Sequence, residues 1–185
     1  MIQLVRAHGW DRNLSPLKQT RIRNSYKVNS TFYSRYTFYD LGYNLRPTEI
    51  NGFIGNTQLQ YLDEIIRKRN ENFLIFSSSL YKLDTFYEIT HNHIEFLSNF
   101  AIPLVCKSKK IRDYFAQKCK DKIEIRPIVG GNITQQPFYK KYMSGFFSQK
   151  EKSNSSLIHE QGLYFGNNPE LTKKEIFEII NIFSS

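Results

Sequence analysis

The chain has 185 residues, 40% of them hydrophobic and 15% aromatic, with a formal net charge of +9. That length holds one ordinary domain, or a small domain with part of another, and the apolar content excludes global disorder. No apolar run approaches the ~20 residues of a bilayer span, the start has no signal-peptide pattern, and Cys106 and Cys119 are the only cysteines. The expected setting is therefore reduced and cytoplasmic, with no membrane and two ordinary thiols.

The basic residues are spread along the chain rather than gathered. Arg67-Lys68-Arg69, Lys107 to Lys110 and Lys173-Lys174 each fall at a predicted helix end or face. A solvated surface accounts for them, so no nucleic-acid partner is expected. A modest positive field also suits an anionic substrate.

Residues 1–40 carry no steady periodicity. A polar, basic run from Asp11 to Ser30 precedes an aromatic cluster of Phe32, Tyr33, Tyr36, Phe38 and Tyr39. This reads as a long loop, or as an edge that packs on residues outside the chain. From Thr48, which follows Pro47 and can cap a helix, apolar side chains recur near the 3.6-residue period: Ile50, Phe53, Ile54, Leu59, Leu62, Ile65, Ile66, Phe73, Phe76 and Leu80. One long helix over 48–80 is predicted, of the kind that bridges two units. Gly52 and Gly55 lie near its start, where each costs ~1 kcal/mol relative to alanine, so a close backbone or ligand is expected there.

The rest of the chain alternates strand and helix signals. Residues 100–106 read as a strand, with Pro103 pointing to an edge or a bulge. Residues 109–119 read as a helix, and 123–127 as a half-buried strand. After a polar, glycine-containing loop come a short helix over 155–161, a strand over 163–165 and an amphipathic helix opened by the Thr172–Glu175 capping box. Ser153 to Ser156 is expected as a surface loop. The fold class is α/β: 1–47 as the end of a larger domain, 48–80 as the bridging helix, and 81–185 as a small α/β domain.

A search for a self-sufficient site finds little. His91-Asn92-His93 offers two metal ligands at most, so no metal site is assigned. No nucleophile elbow, zinc-protease or P-loop pattern is present. Gly130-Gly131-Asn132 reads as a turn before it reads as an anion cradle.

Several blocks of residues nevertheless carry a resemblance. Phe38 to Ile50 contains Gly42-Tyr43-Asn44-Leu45-Arg46-Pro47-Thr48-Glu49, followed by Gln58-Leu59, Asp63, Ile66 and Arg69. Arg6-Ala7-His8-Gly9-Trp10 precedes it. Ile125 to Asn132 with Gln135-Gln136-Pro137-Phe138, and Gly162 to Pro169, follow it, with Asn168 where histidine is usual. Together these resemble sugar aminotransferases of the DegT/DnrJ/EryC1/StrS family.

The resemblance implies the C-terminal part of a fold type I aminotransferase: a long inter-domain helix followed by a small α/β domain. It implies pyridoxal phosphate as cofactor and a homodimer with a shared active site. An amino group would pass from an amino acid, commonly glutamate, to a nucleotide-linked or related ketosugar in surface-polysaccharide or lipopolysaccharide synthesis. By the same resemblance Asn44 reaches across the dimer to the cofactor phosphate, and Arg46 is a candidate second contact to the cofactor or the sugar-nucleotide phosphate in the same site. Arg126, Asn132 and Gln136 are the candidates for shaping the substrate pocket, while His8 and Trp10 pack behind the cofactor.

The family's cofactor lysine is expected upstream of Arg6, and no lysine here lies in a matching context. No catalytic residue is therefore assigned, and the chain alone is expected to be inactive. A dehydratase branch carries histidine in place of that lysine. Its iron–sulfur members have cysteines that this chain lacks between Trp10 and Gly42, which makes aminotransferase the leading expectation. The dehydratase and a non-catalytic interaction subunit are the alternatives.

Overall fold

The computed structural model describes residues 2–5, 7–44, 48–143 and 154–185. Its first helices are α1 (Ile2–Val5), α2 (Pro16–Ser25) and α3 (Thr31–Ser34). A long helical path follows: α4 (Glu49–Gln58), a 3-10 turn (Leu59–Tyr61) and α5 (Leu62–Leu80). Next come β1 (Ala101–Val105), α6 (Lys109–Lys118), β2 (Ile125–Pro127) and a second 3-10 turn (Ile133–Gln135). The chain closes with α7 (Pro137–Met143), α8 (Asn154–Gln161), β3 (Gly162–Gly166) and α9 (Lys173–Ser184).

These elements form two compact units, Met1–Pro47 with Val129–His159, and Thr48–Ile128 with Glu160–Ser185. Residues after β2 find their partners on the first segment. Tyr33 donates its hydroxyl to the His159 carbonyl, Phe38 donates its amide to the Gln136 side chain, and Lys141 pairs with Asp40. Hydrogen-bonding partners of that kind leave no periodic trace in sequence.

In the second unit, β3 is the central strand of an antiparallel sheet ordered β1-β3-β2. Phe165 pairs with Ile102 on one side and Ile125 on the other, and Leu163 pairs with Leu104 and Pro127. Pro103 lies in β1, an edge strand, where a missing amide leaves no broken ladder. The sheet face is closed by α5 and α9. Phe76 meets Phe165 edge-on at 5.1 Å, Phe165 stacks on Phe183 at 5.2 Å, and Phe183 lies 5.2 Å from Phe115, which stacks on Phe86 at 5.3 Å. These buried rings are the core, with Leu80, Ile102, Leu104, Leu163 and Ile176 around them. Both capping-box hydrogen bonds of α9 form between Thr172 and Glu175, as the spacing predicts. Cys106 and Cys119 are free and buried, and burial pushes their thiols up to about 12 and about 11, away from reactivity.

The predicted long helix is interrupted only by its 3-10 turn. Thr48 occupies the N-cap position of α4 but gives no capping bond; its hydroxyl donates to the Asn51 side-chain oxygen. α4 buries none of its residues, and Ile50 and Phe53 are 70% and 72% exposed. A Cβ on Gly52 or Gly55 would meet nothing within 4 Å, so among the described residues no close approach occurs there.

The first unit departs furthest from the sequence reading. Residues 1–40 contain three helices rather than a loop. α2 opens with Pro16 in its first turn and buries no residue, so the apolar periodicity that would announce a helix is missing. Its placement is polar instead. The Arg23 Nε donates to Asp11 Oδ2 at 2.6 Å, with Asp11 fully buried, and Gln19 reaches the Asp11 and Leu14 carbonyls. The tract at Ser153 to Ser156, expected as a loop, enters α8 from Asn154 onward, and Ser153 lies outside the described residues.

Two outcomes follow from this packing. Phe183→Ala removes a ring held by three others and is expected to cost about 3–5 kcal/mol in chemical denaturation. Tyr81 is buried, and its hydroxyl has no hydrogen-bond partner among the described residues. Burial pushes its pKa up to about 12. The neutral hydroxyl is the favoured form, so its contribution is complete below the unfolded value of about 10 and is lost as pH rises above it. Tyr81→Phe is expected to be neutral or stabilising at pH ~7 and to flatten the alkaline loss of stability, read as denaturation midpoints against pH.

Candidate functional site

Asn44, together with His8 and Trp10, lies at a backbone crossing in the first unit. Segment 38–44 runs antiparallel to residues 5–10, with bridges joining Trp10 to Phe38 and Ala7 to Asn44. Tyr43 donates its amide to the Val5 carbonyl at 2.7 Å, His8 donates to the Tyr43 carbonyl at 3.2 Å, and Tyr39 donates to the Gly9 carbonyl at 2.8 Å. Two glycines make this approach possible. A Cβ on Gly9, whose φ is +78°, would stand 1.8 Å from the Asp40 carbonyl oxygen, and one on Gly42 would stand 2.3 Å from the Gly9 nitrogen. His8 also adopts positive φ, at 59°, in the same turn.

This crossing sets the position of Asn44. Its backbone is bridged to Ala7, which is fully buried, while Asn44 itself is exposed. A neutral amide on a pinned backbone is a suitable donor to an anionic oxygen. Arg46, the second expected cofactor contact, lies outside the described residues.

The three expected pocket residues differ among themselves. Gln136 is 5% exposed, and its side-chain oxygen accepts the Phe38 amide at 3.2 Å. Asn132 is 7% exposed; its oxygen accepts from the amide and hydroxyl of Thr134, and its nitrogen donates to Ser156 Oγ at 2.8 Å. Both amides are thus engaged inside the first unit. Arg126 belongs to the second unit, in β2, where its guanidinium pairs with Glu124 at 2.7 Å. The Gly130-Gly131-Asn132 turn is closed by protein: a Cβ on Gly131 would lie 2.7 Å from His159 Cα. Its glycines serve packing and positive φ, at 78° and 32°.

Two polar groupings were not singled out from sequence. Asp40 is 18% exposed; its carboxylate accepts Lys141 Nζ at 2.8 Å, the Tyr142 hydroxyl and the Leu41 amide. Burial works to raise its pKa, but these donors outweigh it and hold Asp40 below the usual carboxylate value. Asp11 and Tyr39 form the other. Burial, reinforced by the negative charge of Asp11, pushes the Tyr39 hydroxyl up to about 12 despite the opposing Arg23. Asp40 stands in the motif block, so its neighbourhood was legible; Lys141 and Tyr142, about a hundred residues away, carried no signal. His8 lies 4.6 Å from Trp10, which stacks on Phe38 at 6.0 Å and carries the Arg12 guanidinium at 3.8 Å on its ring. His8 and Trp10 thus pack the crossing, and the cation completes an aromatic wall. Among the described residues no cluster of three His, Cys, Asp or Glu side chains could hold a metal, and no helix is long and apolar enough to cross a membrane.

Comparison with known proteins agrees with the blocks from which the site was built. The model of the DegT/DnrJ/EryC1/StrS aminotransferase family matches residues 1–184. GDP-4-keto-6-deoxy-D-mannose 3-dehydratase of Yersinia pseudotuberculosis is 30% identical over 181 residues, covering 96% of this chain and 44% of that protein. The E. coli GDP-4-keto-6-deoxy-D-mannose-3-dehydratase, solved with bound hydrated PLP, superposes with a TM-score of 0.63 at 26% identity, over 97% of this chain and 46% of its own. The sugar aminotransferase CalS13 from Micromonospora echinospora shares the fold with a TM-score of 0.61 at 16% identity, over 78% of this chain and 37% of its own. The chain therefore spans less than half the length of these relatives. The α/β class read from the sequence holds, as part of a fold type I aminotransferase architecture. From the glycine crossing, the motif blocks and this match over nearly every residue, the chain belongs to the DegT/DnrJ/EryC1/StrS aminotransferase family.

Proposed function

We propose that the chain forms the C-terminal part of a pyridoxal-phosphate enzyme that removes the 3-hydroxyl from a GDP-linked 4-keto-6-deoxyhexose. The observation that carries this reading is the 30% identity with a GDP-4-keto-6-deoxy-D-mannose 3-dehydratase along 96% of the chain. The aminotransferase reading comes second. It is favoured by the absence of the iron–sulfur-type cysteines between Trp10 and Gly42, and the likeness to the sugar aminotransferase CalS13, at 16% identity, carries the fold alone.

The described residues suit one end of the cofactor. Asn44 offers an exposed amide on a backbone pinned by Ala7, Val5 and His8, matched to a phosphate oxygen. Arg46 is the proposed second donor, a planar cation suited to the same group. When bound, pyridoxal phosphate supplies an electron sink for bond cleavage beside the carbon it engages. This chain's part is to hold and orient the phosphate end; the lysine or histidine that works at the reacting end is contributed from outside residues 1–185.

Asn132 acts on the substrate pocket through the turn that its amide holds, and Gln136 through the Phe38 segment that its side chain binds. Arg126, paired with Glu124, is the proposed cation for a sugar-nucleotide phosphate. A homodimer is proposed for the complete enzyme, supported by the exposed apolar side chains Ile50, Phe53 and Ile54 on α4. A role in lipopolysaccharide sugar synthesis is supported by a 26% identical Salmonella typhimurium relative, the lipopolysaccharide biosynthesis protein RfbH.

Mass spectrometry of the sugar product made by the complete enzyme decides between the chemistries. Loss of the C3 hydroxyl supports the dehydratase, whereas an amino group gained at a ketone carbon overturns it in favour of transfer. Asn44→Ala is expected to weaken cofactor retention about tenfold, measured by dialysis and cofactor absorbance, since a hydrogen bond to a charged group contributes ~1.5–3 kcal/mol. Phe53→Glu is expected to shift the complete enzyme from dimer to monomer in sedimentation; an unchanged dimer would place the subunit contact elsewhere.

A further inference from the structure

We propose that the segment Gln136–Tyr142 is a clasp that positions Asn44, with Asp40 as its anchoring residue. The inference rests on the reading of Asn44 as a phosphate contact.

Phe38, Asp40, Gly42 and Asn44 lie two residues apart along one segment. Phe38 is held through both of its backbone groups: its amide donates to the Gln136 side chain at 3.2 Å, and its carbonyl accepts the Phe138 amide at 3.3 Å. Two residues on, the Asp40 carboxylate is gripped by Lys141 and Tyr142, both on α7. Two further on, Gly42 is wedged against the His8–Gly9 peptide, with no room for a Cβ. Asn44 follows at the exposed end.

The glycine crossing and the clasp hold different sides of this segment. Residues 5–10 supply the ladder along one side. Gln136, Phe138, Lys141 and Tyr142 supply the other, from about a hundred residues away. Neither Asp40 nor Lys141 is among the buried core residues. Lys141 keeps 41% of its side chain exposed, and Asp40 makes its ion pair near the surface rather than in the core. An isolated surface pair contributes little stability. Here a carboxylate with three donors joins two segments distant in sequence, and the segment it fixes ends at Asn44. Asp40 and Gln136 are positioning residues; neither touches the cofactor.

The test has two readouts. In the complete enzyme, Asp40→Asn is expected to speed hydrogen exchange at the His8 and Tyr43 amides, which bond across the crossing, by about tenfold. Lys141→Met, at a half-exposed position, is expected to speed it by a smaller factor. Unchanged exchange in both variants overturns the clasp. In the complete enzyme, Asp40→Asn is expected to weaken cofactor binding about tenfold alone and less than about twofold in an Asn44→Ala background, because its effect passes through that side chain. Equal losses in both backgrounds overturn the positioning role and leave a merely structural one. Faster exchange combined with unaltered cofactor affinity in Asn44→Ala overturns the phosphate reading of Asn44, while supporting the clasp as a brace.

Discussion

Where residues 5–10 meet residues 38–44, two backbones lie closer than any side chain permits. The Asp40 carbonyl occupies the place of a Cβ on Gly9, and the His8–Gly9 peptide occupies that of a Cβ on Gly42. The rest of the first unit's functional geometry depends on this contact. It fixes the register that bridges Ala7 to Asn44 and Trp10 to Phe38. A backbone cannot be repositioned by a rotamer change, so a side chain mounted on it inherits a defined direction. That is the property a phosphate contact requires.

Around the crossing, the first unit uses polar groups where a larger domain would use apolar ones. α2 buries nothing, and its place depends on the Arg23 pair with fully buried Asp11. Breaking such a pair leaves an uncompensated charge in a dry site, so its value lies in specifying one arrangement. The Asp40 grouping does the same at the edge of the unit, joining α7 to the motif segment. The second unit is built on the opposite plan. Its sheet, α5 and α9 close over a chain of phenylalanines in contact, and its buried thiols are held protonated. The residues proposed to face the cofactor lie on the polar, hydrogen-bonded unit, and the large apolar core lies elsewhere.

The exposed residues of α4 extend the same division. A helix with Ile50 and Phe53 in solvent and two glycines against open space has no stabilising partner within the described chain. Its sequence follows helical period faithfully, so the apolar face is a face for something else. The homodimer proposed for the complete enzyme is the partner assigned to that face.

How much was legible can be followed element by element. Period and capping signals were sufficient for α5, α6, α9 and the three strands, because those elements bury one face and the core selects apolar residues at the matching spacing. Pro103 correctly marked an edge. The motif block around Asn44 and the family were legible as residue identities, since glycines with no substitute and a short amide at a fixed offset are written directly in the chain. The sequence did not disclose α2, whose helix is held by an ion pair rather than an apolar stripe. It did not disclose the engagement of Asn132 and Gln136 inside the fold, nor the grip of Lys141 and Tyr142 on Asp40. Those depend on contacts across about a hundred residues, made by polar groups whose direction matters more than their period. Alone, the sequence determined which enzyme family this chain serves and where its apolar core lies. Only the tertiary structure decided which polar side chains hold the fold and which one is left exposed, because hydrogen bonds take partners in space that no spacing along the chain records.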